Sequence, residues 1–342
     1  MVNCTMCGKP AMYINKVSGI AYCRQHFIDY FERKVRKTIR KYNMFGKKEH
    51  ILVATSGGKD SMSLLHILWK LSKKNPSWEI TAVLVDEGIK GYRERTIKNL
   101  VKYANERGIK FIIASFRDYI GMSLDDIVDK GRGRNLPYQP CSYCGVFRRN
   151  VINTVAKEID ATVIATAHNL DDVVQTYLMN LINNSLDRIM RLTPVRKEGS
   201  FIKRVKPFYE VLEKESALYA LSNNLIEPEY VQCPYAKYNI RFLIRRLVNE
   251  LEDKYPGSKY GLLKSLLQII NQCNMCVGSK SEKYETCAIC GEPASNIICK
   301  SCVFKYQLNL LSPELSAKIK DIIGKSLHRQ EVYSYRRRED SR

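Results

Sequence analysis

An α/β fold with a doubly wound parallel sheet is predicted by the order of apolar runs and turns between residues 50 and 167. Four short apolar runs, HILVAT, ITAVLV, KFIIAS and TVIATA, alternate with stretches of helical periodicity. Such alternation is typical of parallel strands covered by helices on both faces. The length of 342 residues leaves room for smaller modules beside this domain. Ten of the twelve cysteines form Cys-x-x-Cys pairs, which predicts metal-binding modules at both ends.

The first 45 residues carry two closely spaced pairs of metal ligands. Cys4-x2-Cys7 is followed by a glycine, and Cys23-x2-His26 comes later in the segment. Thiolates and imidazoles are the ligands that tetrahedral zinc prefers. A segment this short has too little core to fold alone, so we expect residues 1–45 to form a zinc finger that its metal stabilises.

The turn after the first predicted strand, SGGKDS, has the composition of a phosphate-binding loop. Its glycines let backbone N–H groups approach phosphate oxygens, the lysine adds a cation, and the helix MSLLHILWKL contributes its positive end. The spacing differs from the GxxxxGK[ST] motif of P-loop NTPases. The predicted ATP-binding residues here are Ala54, Ser56, Gly57, Gly58, Lys59, Asp60 and Ser61.

Two other polar turns follow predicted strands. VDEGIKGYR begins at the end of the second strand, and TAHNLDD begins at the end of the fourth. Since ligands of parallel sheets bind at the carboxyl ends of the strands, we expect Val85 and Asp86 to border the adenosine. Asn169 or Asp171 is expected to cap the helix LDDVVQTYLMNLI. We therefore expect a catalytic domain over residues 46–225, which contains the loop, the two turns and the helices that follow them.

Three cysteines in the middle of the chain lie apart from the terminal pairs. Cys141 and Cys144 occur in PCSYCG, in a loop shaped by two prolines and a glycine, and Cys233 occurs in QCPYA. Three thiolates can hold a cubane cluster and leave one iron without a protein ligand, where hydrosulfide could bind. A persulfide on one cysteine, resolved by another, uses the same residues and stays an alternative. Arg148 and Arg149 are expected on a helix one turn past the pair, where they could neutralise phosphates.

The last third of the chain is predicted to be helical and then zinc-binding. A basic hairpin over residues 193–208 and a helix over 213–225 precede a helical segment, 226–272, that carries the third cysteine. The segment 273–342 is predicted to be a zinc finger with a basic tail. Among its six cysteines, the knuckle glycine and the short spacer favour Cys287, Cys290, Cys299 and Cys302 as ligands, and Cys273 and Cys276 stay unassigned.

The charge of the chain indicates a polyanionic partner. Lys and Arg number 56 against 35 Asp and Glu, a formal net charge of +21. Nucleic acid is the leading candidate, and the interleaved basic and aromatic residues of VRKEGSFIKRVKPFY and YNIRFLIRR suit RNA phosphates. Because the chain lacks an apolar run of about 18 residues and a signal-peptide pattern, we expect a cytosolic protein without a membrane partner.

SGGKDS after a buried strand resembles the loop of the PP-loop ATP pyrophosphatases, which adenylate a carbonyl oxygen and release pyrophosphate. With the cysteine trio and the zinc-ligand pairs at both ends, the chain resembles the tRNA 2-thiouridine synthetases of the TtuA type over nearly its whole length. The resemblance implies a PP-loop, Rossmann-like fold, ATP with Mg²⁺, two structural zinc ions, and a [4Fe–4S] cluster on Cys141, Cys144 and Cys233. It also implies tRNA as partner, with a ubiquitin-like thiocarboxylate protein or sulfide as sulfur donor.

The resemblance also implies individual roles. Asp172 matches the position of an acid/base or magnesium-side residue, and Ala167 lies against ATP. The family often has lysine at the position of Arg148, so a charge role carries over while proton donation does not. The predicted catalytic residues are Cys141, Cys144, Cys233, Asp172 and Arg148.

These observations predict an ATP-dependent tRNA 2-thiouridine synthetase. The uracil 2-oxygen would attack the α-phosphate of ATP, and sulfur held at the cysteine trio would then displace AMP. One alternative is a lysidine-type or amide-forming PP-loop synthetase, which needs no cysteine trio. Another is a zinc-ribbon RNA-binding protein with a degenerate nucleotide fold. The sequence leaves open whether a T-loop or a wobble uridine is modified, and whether the chain forms a homodimer.

Overall fold

The computed structural model describes residues 2–132, 136–197, 201–226, 233–236, 240–276, 285–294 and 296–324. The N-terminal module is a two-stranded ribbon followed by a helix: β1 (Tyr13–Ile14), β2 (Ala21–Tyr22) and α1 (Arg24–Lys41). The strands of the central sheet are β3 (Glu49–Thr55), β4 (Trp78–Asp86), β5 (Lys110–Ser115), β6 (Val163–Thr166), β7 (Val195–Arg196) and β8 (Lys203–Val205).

Helices alternate with these strands and then follow them. Those of the central domain are α2 (Lys59–Ser72), α3 (Glu94–Arg107), α4 (Phe116–Ile120), α5 (Leu124–Arg132), α6 (Pro140–Glu158), α7 (Leu170–Ile182), α8 (Leu186–Met190) and α9 (Glu213–Ser222). The C-terminal elements are a 3₁₀ turn (Pro234–Ala236), α10 (Ile240–Lys254), α11 (Ser258–Cys276), β9 (Glu285–Thr286), β10 (Pro293–Ala294), α12 (Lys300–Gln307) and a helix over residues 313–324. Among the described residues, every helix is too short or too polar to cross a bilayer.

The sheet confirms the predicted parallel, doubly wound arrangement. Its order is β5-β4-β3-β6-β8-β7, and all neighbours are parallel except the β7–β8 hairpin at one edge. The chain builds outward from β3 through β4 to β5 and then returns to the other side of β3 as β6. The order of the strands therefore reverses between β3 and β6, which is where ligands of such sheets bind.

Two apolar cores lie on the opposite faces of the sheet. Along β3, Ile51 and Val53 pack into one core and Leu52 into the other, and all three are fully buried. Alternation of side chains along a strand accounts for this division. The first core contains α2, α9 and also α1, whose Phe31 stacks on Tyr219 with ring centroids 4.5 Å apart. The N-terminal helix therefore packs on the central sheet, while the predicted domain boundaries stay a prediction.

The second core joins the cysteine helix to the C-terminal module. Phe304 of α12 packs on Tyr143 of α6 with ring centroids 4.3 Å apart, and both are buried. The expectation that Cys141 and Cys144 lie in a loop before a helix is wrong. Pro140 occupies the first turn of α6, where its fixed φ favours helix initiation, so both cysteines are helical.

Other predicted elements differ from the structure mainly at their ends. The helix after SGGKDS begins at Lys59, so half of the motif lies in its first turn, and α11 extends to Cys276. The short helices α4 and α5 were not predicted. Parts of the predicted basic hairpin, residues 227–232 and 237–239 of the predicted helical segment, and the basic tail from residue 325 lie outside the described residues.

A fully buried carboxylate ties the N-terminal module to the central domain. Glu215, in the first turn of α9, accepts hydrogen bonds from Tyr13 (3.0 Å) and Tyr30 (2.9 Å) and pairs with Lys34 at 2.6 Å. Its second oxygen also accepts from the backbone N–H of Leu212 at 2.9 Å. Each partner offsets part of the cost of burying this charge.

Replacing Glu215 with glutamine keeps an acceptor but removes the charge that balances Lys34. Because leaving one member of a buried ion pair unpaired costs about 3–5 kcal/mol, we expect urea titration to show a free energy of unfolding lower by about 3 kcal/mol. Glu250→Gln is the matched control, since Glu250 and its partner Lys254 are 60% and 66% exposed. The control should change stability by less than about 0.5 kcal/mol. A loss below about 1 kcal/mol in Glu215→Gln would contradict this role.

Candidate functional site

The SGGKDS loop between β3 and α2 is held in shape by its own serines. The Ser56 N–H donates to Ser61 Oγ at 3.1 Å, and that hydroxyl donates to the Gly58 carbonyl at 3.0 Å. Gly57 has φ +72°, and a Cβ there would lie 2.5 Å from Cβ of Thr96. Only glycine fits this position, which explains why the turn can pack directly on α3.

The loop leaves the start of α2 free to bind an anion. Gly58 is the N-cap residue and makes no side-chain cap, so the first N–H groups of the helix keep their positive character. Lys59 lies beside them, 2.6 Å from Asp60 and 2.9 Å from Glu213. Burial alone lowers its pKa, but the two carboxylates more than offset this and raise the pKa of Lys59. Phosphates would therefore meet a protonated lysine and the first N–H groups of α2.

The residues after β6 lie against this loop. Asn169, one of the two expected candidates, caps α7 and forms a reciprocal capping box with Asp172. The side-chain amide of Asn169 also lies 3.4 Å from the Asp60 carboxylate. Asp171 instead forms a buried ion pair with Lys259. Burial and the neighbouring Asp60 raise the pKa of Asp172 to about 6, and Arg241, 3.6 Å from the Asp172 carboxylate, offsets this only in part. Asp172 is therefore the carboxyl group of this crevice best suited to exchange a proton near neutral pH.

The predicted adenosine-side residues line the same edge of the sheet. Ala54 pairs in register with Thr166 across β3 and β6, and it packs partly buried against the second core. Val85 is buried in that core, and Asp86 ends β4 with Oδ1 accepting from the Gly88 N–H at 2.9 Å. Ala167 packs partly buried against the first core. All four thus lie at the carboxyl ends of β3, β4 and β6.

The cysteine trio gathers beside the same edge. Cys141 Sγ lies 3.6 Å from the carbonyl of Tyr235, in the 3₁₀ turn that directly follows Cys233. A 2.6 Å hydrogen bond from the Tyr235 hydroxyl to Asp125 holds this turn. Cys144, one helical turn after Cys141, is 9% exposed. Burial raises the pKa of Cys141, and the nearby Cys233 adds to this effect.

An arginine–glutamate–arginine chain connects Cys144 to the SGGKDS loop. Arg148 donates to Cys144 Sγ at 3.0 Å and pairs with Glu87 at 2.6 Å. Glu87 also forms a bidentate pair with Arg93 at 2.6 and 2.7 Å, and Arg93 donates to the Ser56 carbonyl at 2.9 Å. Sequence reasoning missed Glu87 and Arg93, although both belong to the VDEGIKGYR turn whose position at a strand end was recognised.

The four predicted zinc ligands at each end are brought together. In each set the ligand atoms lie within 4.8 Å of one another. The Cys7 and Cys23 sulfurs are 3.7 Å apart, and His26 Nδ1 lies 3.4 Å from the Cys23 sulfur. A zinc ion with Zn–S bonds of about 2.3 Å requires sulfurs ~3.8 Å apart at tetrahedral corners. The C-terminal set has the same spacing, with 3.7 Å between the sulfurs of Cys290 and Cys299.

Among the described residues, the sulfur atoms of the cysteine trio do not all lie within 4.8 Å of one another, unlike the ligand atoms of the two terminal sets. A cubane cluster carries its thiolates on different irons, farther apart than the ligands of one ion. Nε of Arg148, close to Cys144, is buried and has no hydrogen-bond acceptor among the described residues. An unpaired buried donor on the side chain that contacts Cys144 fits a group with sulfur acceptors, so the donor set is compatible with an iron–sulfur cluster.

A cluster of cations borders the other side of the crevice. Burial and the neighbouring Arg149 and Arg196 lower the pKa of Arg204 to about 10. Burial and the same kind of repulsion, from Arg196 and Arg204, lower the pKa of Lys206 to about 8. Mutual repulsion of this kind is relieved by an anion, so this surface suits a phosphate backbone.

Comparison with known proteins places this site in a family. The PP-loop domain family matches residues 27–226. A tRNA-5-methyluridine(54) 2-sulfurtransferase of Pyrococcus horikoshii is 33% identical over 306 residues, covering 89% of this chain and 93% of that protein. A tRNA 2-thiolation protein NcsA of Haloferax volcanii is 32% identical over 317 residues, covering 88% and 97%.

A solved structure agrees with these relatives. The U34-tRNA thiolase NcsA from Methanococcus maripaludis, determined with its [4Fe–4S] cluster, superposes with a TM-score of 0.78 at 34% identity. The match covers 91% of this chain and 98% of that chain. The chain belongs to the PP-loop domain family and, within it, to the tRNA 2-thiolation sulfurtransferases.

Proposed function

We propose that this protein is an ATP-dependent tRNA 2-thiouridine synthetase, a sulfur-transferring enzyme that uses the SGGKDS loop and the cysteine trio in one crevice. The observation that carries the proposal is the chain of contacts from Cys144 through Arg148, Glu87 and Arg93 to Ser56. It joins the predicted nucleotide-binding loop to one cysteine of the trio, and a lysidine-type or amide-forming synthetase needs no such trio. This chain is similar to a relative named for modification of U54 and to a solved structure named for U34. The proposal therefore covers 2-thiolation of a uridine and does not specify which position of the tRNA is modified.

The first half-reaction would activate the uracil. ATP with Mg²⁺ would place its phosphates on the amides at the start of α2, with Lys59 beside them. Ala54, Val85, Asp86 and Ala167 would border the adenosine. The uracil 2-oxygen would attack the α-phosphate, pyrophosphate would leave, and Asp172 would exchange the proton that this step moves.

The second half-reaction would bring sulfur to the activated carbon. Cys141, Cys144 and Cys233 would hold a [4Fe–4S] cluster, which supplies a binding place for the incoming sulfur atom. Arg148 would position this site through its hydrogen bond to Cys144 and its unpaired Nε. Displacement of AMP from C2 leaves the thiocarbonyl. The sulfur donor stays a prediction, either a ubiquitin-like thiocarboxylate protein or sulfide.

The remaining parts of the proposal concern metals and partners. Each terminal cysteine set would hold one structural zinc, since the spacing within each set fits tetrahedral coordination. The tRNA phosphates would bind the cation surface around Arg204 and Lys206. Location in the cytosol and assembly as a homodimer stay predictions.

Metal analysis of anaerobically purified protein tests the cluster assignment. We expect the wild type to be brown and to contain iron, acid-labile sulfide and zinc. Cys141→Ser should be colourless and keep its zinc, because the terminal sets share no residue with the trio. Zinc alone in the wild type after anaerobic reconstitution would contradict the cluster and favour persulfide chemistry.

Removing the third cysteine tests the sulfur-transfer role. Cys233→Ser should abolish 2-thiouridine formation, measured by nucleoside analysis of tRNA, while its affinity for ATP stays within about twofold of that of iron-free wild-type protein. Cys273→Ser is the matched control, because Cys273 is another half-buried cysteine but lies on α11 away from the trio. Retention of thiolation in Cys233→Ser would refute the proposed mechanism.

The raised pKa of Asp172 has a measurable consequence for stability. Because the folded-state pKa of about 6 exceeds the unfolded value near 3.8, the folded state loses stability as the carboxyl ionises above pH 4. Asp172→Asn should therefore be more stable than wild type at pH 7.5, and this gain should shrink as the pH falls from 7 to 5. Urea titrations of the ligand-free proteins measure the difference, and thiolation by the variant should fall at least about 100-fold. A pH-independent difference in stability would contradict the assignment.

A further inference from the structure

Glu87 occupies an unusual electrostatic position between the two halves of the site. It is fully buried at the end of β4 and pairs with two guanidinium groups, Arg93 from the start of α3 and Arg148 from α6. Arg93 alone would neutralise the carboxylate. The second cation leaves the three side chains with a net positive charge, which further hydrogen-bond acceptors can share.

The two arginines find those further partners at opposite ends of the site. Arg93 donates to the Ser56 carbonyl at the start of the SGGKDS loop, and Arg148 donates to the Cys144 sulfur. Both arginines have the planar fork of donors that lets one side chain hold two acceptors at once. The single carboxylate of Glu87 is therefore the shared support of a nucleotide-facing contact and a sulfur-facing contact.

From this geometry we infer that Glu87 is a positioning residue that couples nucleotide binding at the loop to occupancy of the cysteine site. The inference rests on the proposed function, because it assumes that the two sites bind ATP and a metal–sulfur group. Loading the cysteine site fixes Arg148, and Arg148 fixes the carboxylate that orients Arg93 on the loop. The loop is then already ordered when the nucleotide binds, so the free energy of binding no longer includes the ordering of the loop. By reciprocity, bound nucleotide stabilises the loaded cysteine site to the same extent.

The test compares nucleotide affinity in two states of the same full-length chain. The dissociation constant of the protein for a non-hydrolysable ATP analogue, added with Mg²⁺, is measured anaerobically by calorimetry. One sample is metal-loaded protein, and the other is protein with its iron removed but its zinc retained. We expect loaded wild type to bind the analogue at least fivefold more tightly. In Glu87→Gln the ratio of the two dissociation constants should fall to within twofold of one. Glutamine keeps the size and an acceptor but loses the charge that holds two arginines.

Matched variants separate coupling from loss of structure. Glu79→Gln is the same change near the other end of β4, but Glu79 is 48% exposed and pairs with Lys110, which is 74% exposed, so the ratio should stay at the wild-type value. Arg148→Met serves if Glu87→Gln does not fold, since the Arg148 side chain is 42% exposed and its loss leaves the Glu87–Arg93 pair intact. Arg148→Met should also bring the ratio of the two dissociation constants to within twofold of one. A residue that only supports the fold would weaken binding equally in both states and leave the ratio unchanged.

The outcomes distinguish this inference from the proposed function. A wild-type ratio of one or below, or a wild-type ratio retained in both Glu87→Gln and Arg148→Met, overturns the coupling while leaving the sulfurtransferase assignment in place. If the wild type takes up no iron, the cluster assignment fails instead. The coupling is then measured in a Cys141→Ser, Cys233→Ser background by adding Cys144→Ala, which removes the acceptor of Arg148. This substitution should weaken analogue binding at least threefold in that background and should have no effect when Glu87→Gln is also present; equal affinities with and without Cys144→Ala would overturn the inference.

Discussion

The position of β3 between β4 and β6 is the constraint on which the site depends. Because neighbouring strands are parallel, their carboxyl ends meet at one edge, and the reversal of strand order opens a crevice there. β3 supplies the SGGKDS loop, β4 supplies Glu87 and β6 supplies the turn to Asp172. Full burial of Ile51, Leu52 and Val53 on two faces holds this strand in place, so the geometry of the site rests on the two apolar cores.

Charge buried at this edge distinguishes the site from the rest of the fold. Burial of Glu215 is compensated by three side chains and a backbone amide, and it serves the packing of α1 and α9. Around the crevice, in contrast, the compensation is incomplete. Asp172 is crowded by another carboxylate, Arg204 and Lys206 repel each other, and Nε of Arg148 is unpaired among the described residues. Such groups reduce stability, and ligands of opposite charge relieve the cost.

The sequence predicted what local spacing encodes. The strand and loop at HILVATSGGKDS, the two sets of predicted zinc ligands and the parallel sheet follow from short-range patterns, and the structure forms each of them as expected. It could not show that α6 begins before Cys141, because the residues around Pro140 read equally well as a loop. Nor could it pair Glu87 with Arg148, since these residues lie on different elements and a charged residue in a turn is usually solvated. Partners distant in the chain are set by packing, which no single motif describes.

Arginine at position 148 changes how the chemistry divides among the residues. A lysine is a compact point charge that can release a proton when buried, whereas a guanidinium stays charged and spreads its donors in a plane. Burial lowers the pKa of Arg148, but Cys144 and Glu87 outweigh this effect and raise it, so proton release is excluded. The same planar shape lets one side chain contact the Cys144 sulfur and Glu87 together. In the proposed function Arg148 would therefore give rigidity and charge to the sulfur site, and the exchange of protons would fall to Asp172, whose pKa of about 6 suits it.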